Sequence, residues 1–428
     1  MSRRIPVITG MGIVSPLGTG REAFASALLA GRSGVVARPA ASGDPLPCKV
    51  HAPAQGFDPS RLPGQRKNLK LMTRAVAIGL GAAMQAMDDA GIAAGSVQPD
   101  RHGAYIGAPT ALGEGRDLEP ALQLATRNGT FDMDCFAREG LPLVNPLWLL
   151  RSLSNNVLGF VSAAFRMMGP NLNICNSGVG GLQAIGEAAQ AIRDDRADVC
   201  LAGGYDSIVE AQPLALFARM GLLTSNPDPA SASRPFHALR DGFVPAEGGA
   251  FLVVEEGERA RKRGARCWGQ LLGYATVNNA FDLASPGQDG RGIFEAASLA
   301  LREAGVPPVE VGAVIAHSSG SVTYDPLEAD VLRRLLGPAR DRIPVSAPKS
   351  MIGHTVAASG AFGVATLLIA LAERRIPPTL NLDDVAPGCA LRHVRGEALP
   401  FTRRPHGLVL AGGLGGQHAA LYLGEEPY

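Results

Sequence analysis

Gly169-Pro170-Asn171-Leu172-Asn173-Ile174-Cys175-Asn176-Ser177-Gly178-Val179-Gly180-Gly181-Leu182-Gln183-Ala184-Ile185-Gly186 reads as a short strand, a tight turn of small residues and the start of a helix. Leu172 and Ile174 alternate with asparagines, the period of a strand. Ser177, Gly178, Gly180 and Gly181 supply the turn. From Leu182 to Arg193 there are few helix breakers, and apolar residues recur at helical spacing. Such a turn presents one side chain at a helix N-terminus, where unpaired amides and the macrodipole favour negative charge. A nucleophile placed there is activated. The residue at that point decides what chemistry the turn supports.

On the N-terminal side, Ile5–Thr9 predicts a strand that runs into Gly10-Met11-Gly12. That Gly-x-Gly is followed by Val14-Ser15-Pro16-Leu17-Gly18 and not by a glycine-opened helix, so it is not read as a dinucleotide loop. Helices are predicted over 21–31, Leu69–Ala90 and Trp148–Met168, with a strand at His102–Gly107. Residues 36–66 read as an irregular surface loop, and 109–145 as a cap without clear periodicity. Beyond the central turn come the strands Val199–Ala202 and Gly249–Val254 and the charged connector Glu255–Arg263. From Trp268 the order repeats. Strands at 269–275, Gly312–Ala316, Ile343–Val345, 407–411 and 419–423 alternate with helices at 291–304, 326–336 and 355–373. Strands alternating with helices predict an α/β architecture with largely parallel, helix-covered sheets. His317 after the strand Gly312–Ala316 mirrors the first half and suggests an internal duplication.

The totals fit this picture. A chain of 428 residues is long for one core and suggests two halves, 1–256 and 265–428. Hydrophobic residues make up 46% and charged ones only 18%, which fits a large interior or an oligomer interface. The net charge of +1 argues against a nucleic-acid partner. Cys48, Cys135, Cys175, Cys200, Cys267 and Cys389 are scattered without a Cys-x-x-Cys pair, against zinc and against a disulfide framework. They are expected to be reduced and mostly buried, in a cytoplasmic protein. Met1–Arg4 leads straight into the first strand without a signal-peptide core. No apolar run reaches the roughly 20 residues of a membrane span.

Several motifs then combine. They are Val7-Ile8-Thr9-Gly10-Met11-Gly12, Leu29-Ala30-Gly31-Arg32-Ser33-Gly34, Ala202-Gly203-Gly204, and Arg234-Pro235-Phe236 with Arg240-Asp241-Gly242-Phe243. To these add His317, Lys349-Ser350-Met351-Ile352-Gly353-His354 and Gly413-Leu414-Gly415-Gly416. Together they resemble a β-ketoacyl-acyl-carrier-protein synthase (ketosynthase) along the whole chain. The resemblance implies a thiolase-like fold: two similar halves in α-β-α-β-α layers. It also implies catalytic roles for His317, His354 and Lys349. In the family a cysteine in the central turn takes the acyl chain as a thioester, and the two histidines serve decarboxylation and the oxyanion.

The family's nucleophile falls eight residues after the proline that precedes the strand. Eight after Pro170 is Gly178, and the downstream Ile185-Gly186 gives the same register without a gap. Using Cys175 instead requires indels of three residues inside a strand and a helix. Gly178 is therefore assigned to the nucleophile position, and Cys175 is expected to be a buried, inert strand residue. Glycine has no side chain and holds no acyl group. The nearest resemblance is to a chain length factor (ketosynthase-beta), in which a non-nucleophile, commonly glutamine, stands at this position before a run like Val179-Gly180-Gly181-Leu182.

Other departures point the same way. His317-Ser318-Ser319-Gly320-Ser321 replaces His-Gly-Thr-x-Thr, with the first glycine's freedom lost. Leu414 replaces a gating phenylalanine, and Gln417-His418 replaces Thr-Asn. The resemblance further implies substrate contacts at Phe217, Gly413, Leu414 and Gly415. Its implied partners are an acyl carrier protein, which brings the phosphopantetheine arm, and a second ketosynthase subunit. That second subunit is either a cysteine-bearing ketosynthase in a heterodimer or another copy of the chain in a homodimer. No metal and no bound cofactor are implied. Arg66, Lys67, Lys70 and Arg74 form a candidate carrier-docking cluster; Arg259, Arg261, Lys262 and Arg263 read as a solvated connector.

Three functions follow as expectations. The first is a chain length factor that shapes the acyl tunnel of a partner ketosynthase. The second is a stand-alone decarboxylase or acyltransferase working through His317, His354 and Lys349 without a thioester. The third is a condensing enzyme that uses Cys175.

Overall fold

The computed structural model describes residues 4–39, 46–110, 115–283, 286–402 and 405–425. Met1–Arg3 and parts of the 36–66 and 109–145 segments lie outside the described residues. The N-terminal half gives five strands to the main sheet path: β1 (Pro6–Ser15), β2 (His102–Gly107), β3 (Asn171–Ile174), β4 (Val199–Ser207) and β5 (Glu247–Glu256). The C-terminal half gives five more to the same path: β6 (Gly269–Asn278), β7 (Ala313–Ile315), β8 (Val345–Ser346), β9 (His406–Gly412) and β10 (Gln417–Gly424). They form one hydrogen-bonded path, β8-β7-β9-β10-β6-β1-β5-β4-β2-β3. Numbered within its own half, each set of five has the order 1-5-4-2-3, which is the expected duplication. The halves meet at β1 and β6, where Val7 opposes Gln270 and Ile8 opposes Gly269.

The sheet is mixed, not largely parallel. Pairings β2–β3, β2–β4, β7–β8 and β7–β9 are parallel. Those of β1, β5, β6 and β10 are antiparallel. The alternation of strands with helices suggests parallel pairing, but β1, β5, β6 and β10, at the middle of the path, run antiparallel to their neighbours. β1 and β5 are buried almost end to end because helices cover both faces.

Alternation along the strands sorts the core into layers. Val199 and Leu201 of β4 face helix α1 (Arg74–Asp89), while Cys200 and Ala202 face the middle of the molecule. Leu408 and Leu410 of β9 face helices α3 (Arg291–Ala304) and α4 (Tyr324–Leu336), while Val409 and Ala411 face the middle. The middle layer is helix α2 (Gly180–Arg193) with helix α5 (Ser359–Ala372), whose Leu182, Ile185, Phe362 and Leu368 belong to one core with both sheets. The order is α-β-α-β-α. Both central helices therefore start beside the same point, and the candidate site lies there.

Several local expectations shift. The helix expected from Leu69 starts at Arg74, because the Thr73 hydroxyl accepts the Val76 N–H as an N-cap. Trp148–Met168 is two helices, Trp148–Arg151 and Asn156–Phe165, with Asn156 bonded back to Leu150 and Arg151 carbonyls. Arg259 and Arg263 are not merely solvated, since both bind the fully buried carboxylate of Glu255. Arg74 is likewise not free for docking, because it pairs with the buried Glu247.

Candidate active site

β3 ends at Ile174, and Ser177–Val179 makes one tight 3-10 turn before α2. Ser177 has φ 47°, a strained backbone for a side-chain-bearing residue. Gly178 is buried, and a Cβ built on it would lie 2.1 Å from the carbonyl oxygen of Gly412. No side chain fits there without a backbone shift. The Gly178 carbonyl accepts from Ser359 Oγ at 3.2 Å. One residue earlier, Ser177 Oγ accepts the Leu414 N–H at 3.2 Å. The end of β9 thus closes directly onto the turn. Cys175 corrects an expectation: it is exposed, just past the strand, with its Sγ 3.5 Å from the Pro109 carbonyl oxygen.

His317 follows β7 on a loop held by two buried carboxylates of α4. Glu328 accepts the N–H groups of His317 and Ser318 at 2.8 Å each, and the Ser318 hydroxyl. Asp325 accepts those of Ser319, Gly320 and Ser321. The left-handed turn sits at Gly320, φ 94°, so serine at 318 costs the loop no freedom that it uses. Lys349 opens a short helix, Lys349–Ile352, that delivers His354. Its ammonium donates to the His317 carbonyl and lies 3.4 Å from His317 Nδ1. His317 Nδ1 also accepts the Gly412 N–H at 3.0 Å. An Nδ1 that accepts leaves the proton on Nε2. His354 is anchored by its backbone N–H to the Val244 carbonyl, and its ring meets His317 edge-on with centroids 5.4 Å apart.

Burial holds both imidazoles well below their ordinary pKa, and the Lys349 charge pushes the same way. Both rings are therefore neutral. Burial lowers Lys349 to about 8, against the raising pull of Glu328 and Asp325. Burial also raises Asp325 to about 6. The cluster offers neutral imidazoles, a protonated Nε2 and one softened ammonium. That set can donate to a developing oxyanion and exchange protons near neutral pH.

Two cavities meet here. The smaller, about 80 Å³, is lined by His317, His354, Tyr324 and Gly413 among others. The larger, about 350 Å³, is lined by Cys175, Asp206 and Leu216 among others. Ser177, Phe217, Val356 and Leu414 line both. Of the expected residues, the structure brings together His317, His354, Lys349, Phe217, Gly413 and Leu414. Gly178 lies beneath them and Gly415 is turned away, its N–H on the Leu283 carbonyl. Sequence reasoning missed Asp325, Glu328, Ser177 and Tyr324. Acidic residues three apart on the apolar side of α4 were an available signal for the first two.

Comparison with known proteins decides the family. The model for the β-ketoacyl synthase N-terminal domain matches residues 3–260, and that for the C-terminal domain matches 268–383. The chain belongs to the β-ketoacyl synthase family. This β-ketoacyl synthase-family chain is 36% identical to a Streptomyces halstedii protein named polyketide beta-ketoacyl synthase 1, covering 99% of this chain and 98% of that one. It is 32% identical to 3-oxoacyl-[acyl-carrier-protein] synthase 2 of Coxiella burnetii over 93% of each. Among solved structures, the ishigamide ketosynthase/chain length factor matches at TM-score 0.88 and 28% identity, covering all of both chains. A type II polyketide ketosynthase in complex with its acyl-carrier protein matches at TM-score 0.85 and 27% identity, covering 99% and 100%. The family's thiolase-like layering is the α-β-α-β-α order described above. Among the described residues no helix is long and apolar enough to cross a membrane.

Proposed function

We propose that this chain is the chain-length-factor member of a type II ketosynthase pair. The observation that carries the reading is Gly178: it has no side chain, and the Gly412 carbonyl fills the space where one would go. The reading then requires a partner with an intact cysteine, and a carrier protein that brings the acyl chain. The surface supports a partner. β3 lies at the end of the strand path, and among the described residues only β2 pairs with it. Met133, Leu141, Leu149, Leu150, Met168 and Leu172, from this strand and the segments leading to it, are exposed, Met168 by 75%. Large apolar side chains beside a free strand edge favour association. Cys175 lines the larger cavity and not the histidine cavity, which argues against a condensing role for it.

Co-purification with a cysteine-bearing ketosynthase from the same gene neighbourhood tests the reading. A stable one-to-one complex supports it; a homodimer that ignores the candidate partner removes it. The second reading, decarboxylation of a malonyl thioester, rests on the intact His317–Lys349–His354 cluster. Carbon dioxide release from malonyl-carrier protein at background level removes that one.

A further inference from the structure

The pairing leaves a fully assembled histidine cavity with nothing to act on. Ser177, Ser319, Ser321, Thr323 and Tyr324 all line it, and of these only Ser177 stands on the turn that opens α2. Ser177 stands on a strained left-handed backbone, φ 47°, between β3 and α2. Strain of this kind persists where the surroundings impose it, and it gathers at functional sites. A strained serine between a strand and a helix holds its hydroxyl out of the turn. Ser177 also lines both cavities. We propose that Ser177 is an acyl acceptor, whose Oγ takes an acyl group from a thioester as an oxygen ester.

The groups needed are fastened to one short segment. Gly412 donates its N–H to His317, and Leu414 donates its N–H to Ser177 Oγ. The imidazoles and the hydroxyl line the same small cavity, where a thioester carbonyl would have to sit. The amide of Leu414 leaves the Ser177 proton free to be given away. His317 presents its Nε2–H, so it is the donor to the carbonyl oxygen. His354 is the proton acceptor: its ring is neutral and it lines the same cavity as Ser177. In the step, the hydroxyl proton passes to His354 and Oγ bonds to the thioester carbonyl carbon. The carbon–sulfur bond then breaks, and the leaving thiolate takes the proton back from His354. The acyl chain lies in the larger cavity. No oxidant or metal enters.

The test treats the purified full chain with acetyl- and octanoyl-pantetheine thioesters and reads intact mass, with fragmentation to locate any adduct. One acyl group on Ser177 is expected, surviving neutral hydroxylamine as an oxygen ester does. Ser177→Ala loses it, and Ser177→Cys makes the adduct hydroxylamine-sensitive. His354→Gln slows acylation by 100-fold or more, the usual share of a general base being roughly 10²–10⁴. The Ser177→Cys and His354→Gln readings stand if Ser177→Ala misfolds. No adduct on the folded chain, an adduct on Cys175, or one unchanged in Ser177→Ala overturns the proposal. Pairing is read separately by size. Lost pairing with a retained ester defeats only the chain-length-factor reading, and retained pairing without an ester defeats only this one.

Discussion

The Ser177–Gly178 turn follows β3, the third strand of its half, and His317 follows β7, the second strand of the other; both are fastened to Gly412–Leu414. They are fastened differently. The histidine side is held by side chains, with Glu328 and Asp325 buried under the loop and Lys349 against the ring. The turn is held by main chain, with Gly412 and Leu414 packed onto a glycine and bonded to a serine. One side keeps groups that carry protons. The other has given a side chain's space to backbone. The pair teaches that two sides of one site can be held by different means: buried charge on the histidine side, close main-chain packing at Gly178.

The largest effect should come from breaking the histidine side. Glu328→Ala leaves three donors without an acceptor and takes the nearer countercharge from Lys349. Loss of a buried charge partner costs about 4 kcal/mol, read by denaturant unfolding. Gly178→Cys attacks the turn. Its Cβ meets a backbone oxygen at 2.1 Å, so overpacking of about 3 kcal/mol is expected, with no gain of condensing activity. A stable, active Gly178→Cys chain would erase the contrast between the two sides.

A pH series sharpens it. Asp206, which lines the larger cavity and accepts the Ala357 N–H, is raised by burial to about 7. A raised carboxyl favours the fold below the unfolded value near 4 and loses that contribution as pH rises through 7. The difference between the wild type and Asp206→Asn should therefore slope by up to about 1.4 kcal/mol per pH unit between pH 4 and 7, and flatten above. Tyr324→Phe should do least. Its hydroxyl is 3.5 Å from His418 Nδ1, a long contact whose loss costs under about 1 kcal/mol in thermal unfolding.

Much of this was legible in the sequence. The strand-turn-helix order around Gly178 is legible locally, in the pattern of Leu172, Ile174 and the glycines. His317, Lys349 and His354 sit in motifs, and counting from Pro170 placed Gly178. What could not be read is set by distant neighbours. Mixed strand direction depends on which strand lies beside β1. The exposure of Cys175 depends on where Pro109 and the 151–154 segment pass. That a Cβ has no room at Gly178 depends on Gly412, more than two hundred residues away. The pairing of Arg259 and Arg263 with the buried Glu255 reads locally as a solvated charge run, because composition does not say which carboxylate is covered.

The most direct measurement is condensation by the purified pair with two substitutions compared. One replaces the partner ketosynthase's own cysteine; the other is Cys175→Ala in this chain. The account predicts that product formation stops with the first and continues at the wild-type rate with the second. Product formation that survives loss of the partner's cysteine and stops with Cys175→Ala would contradict it.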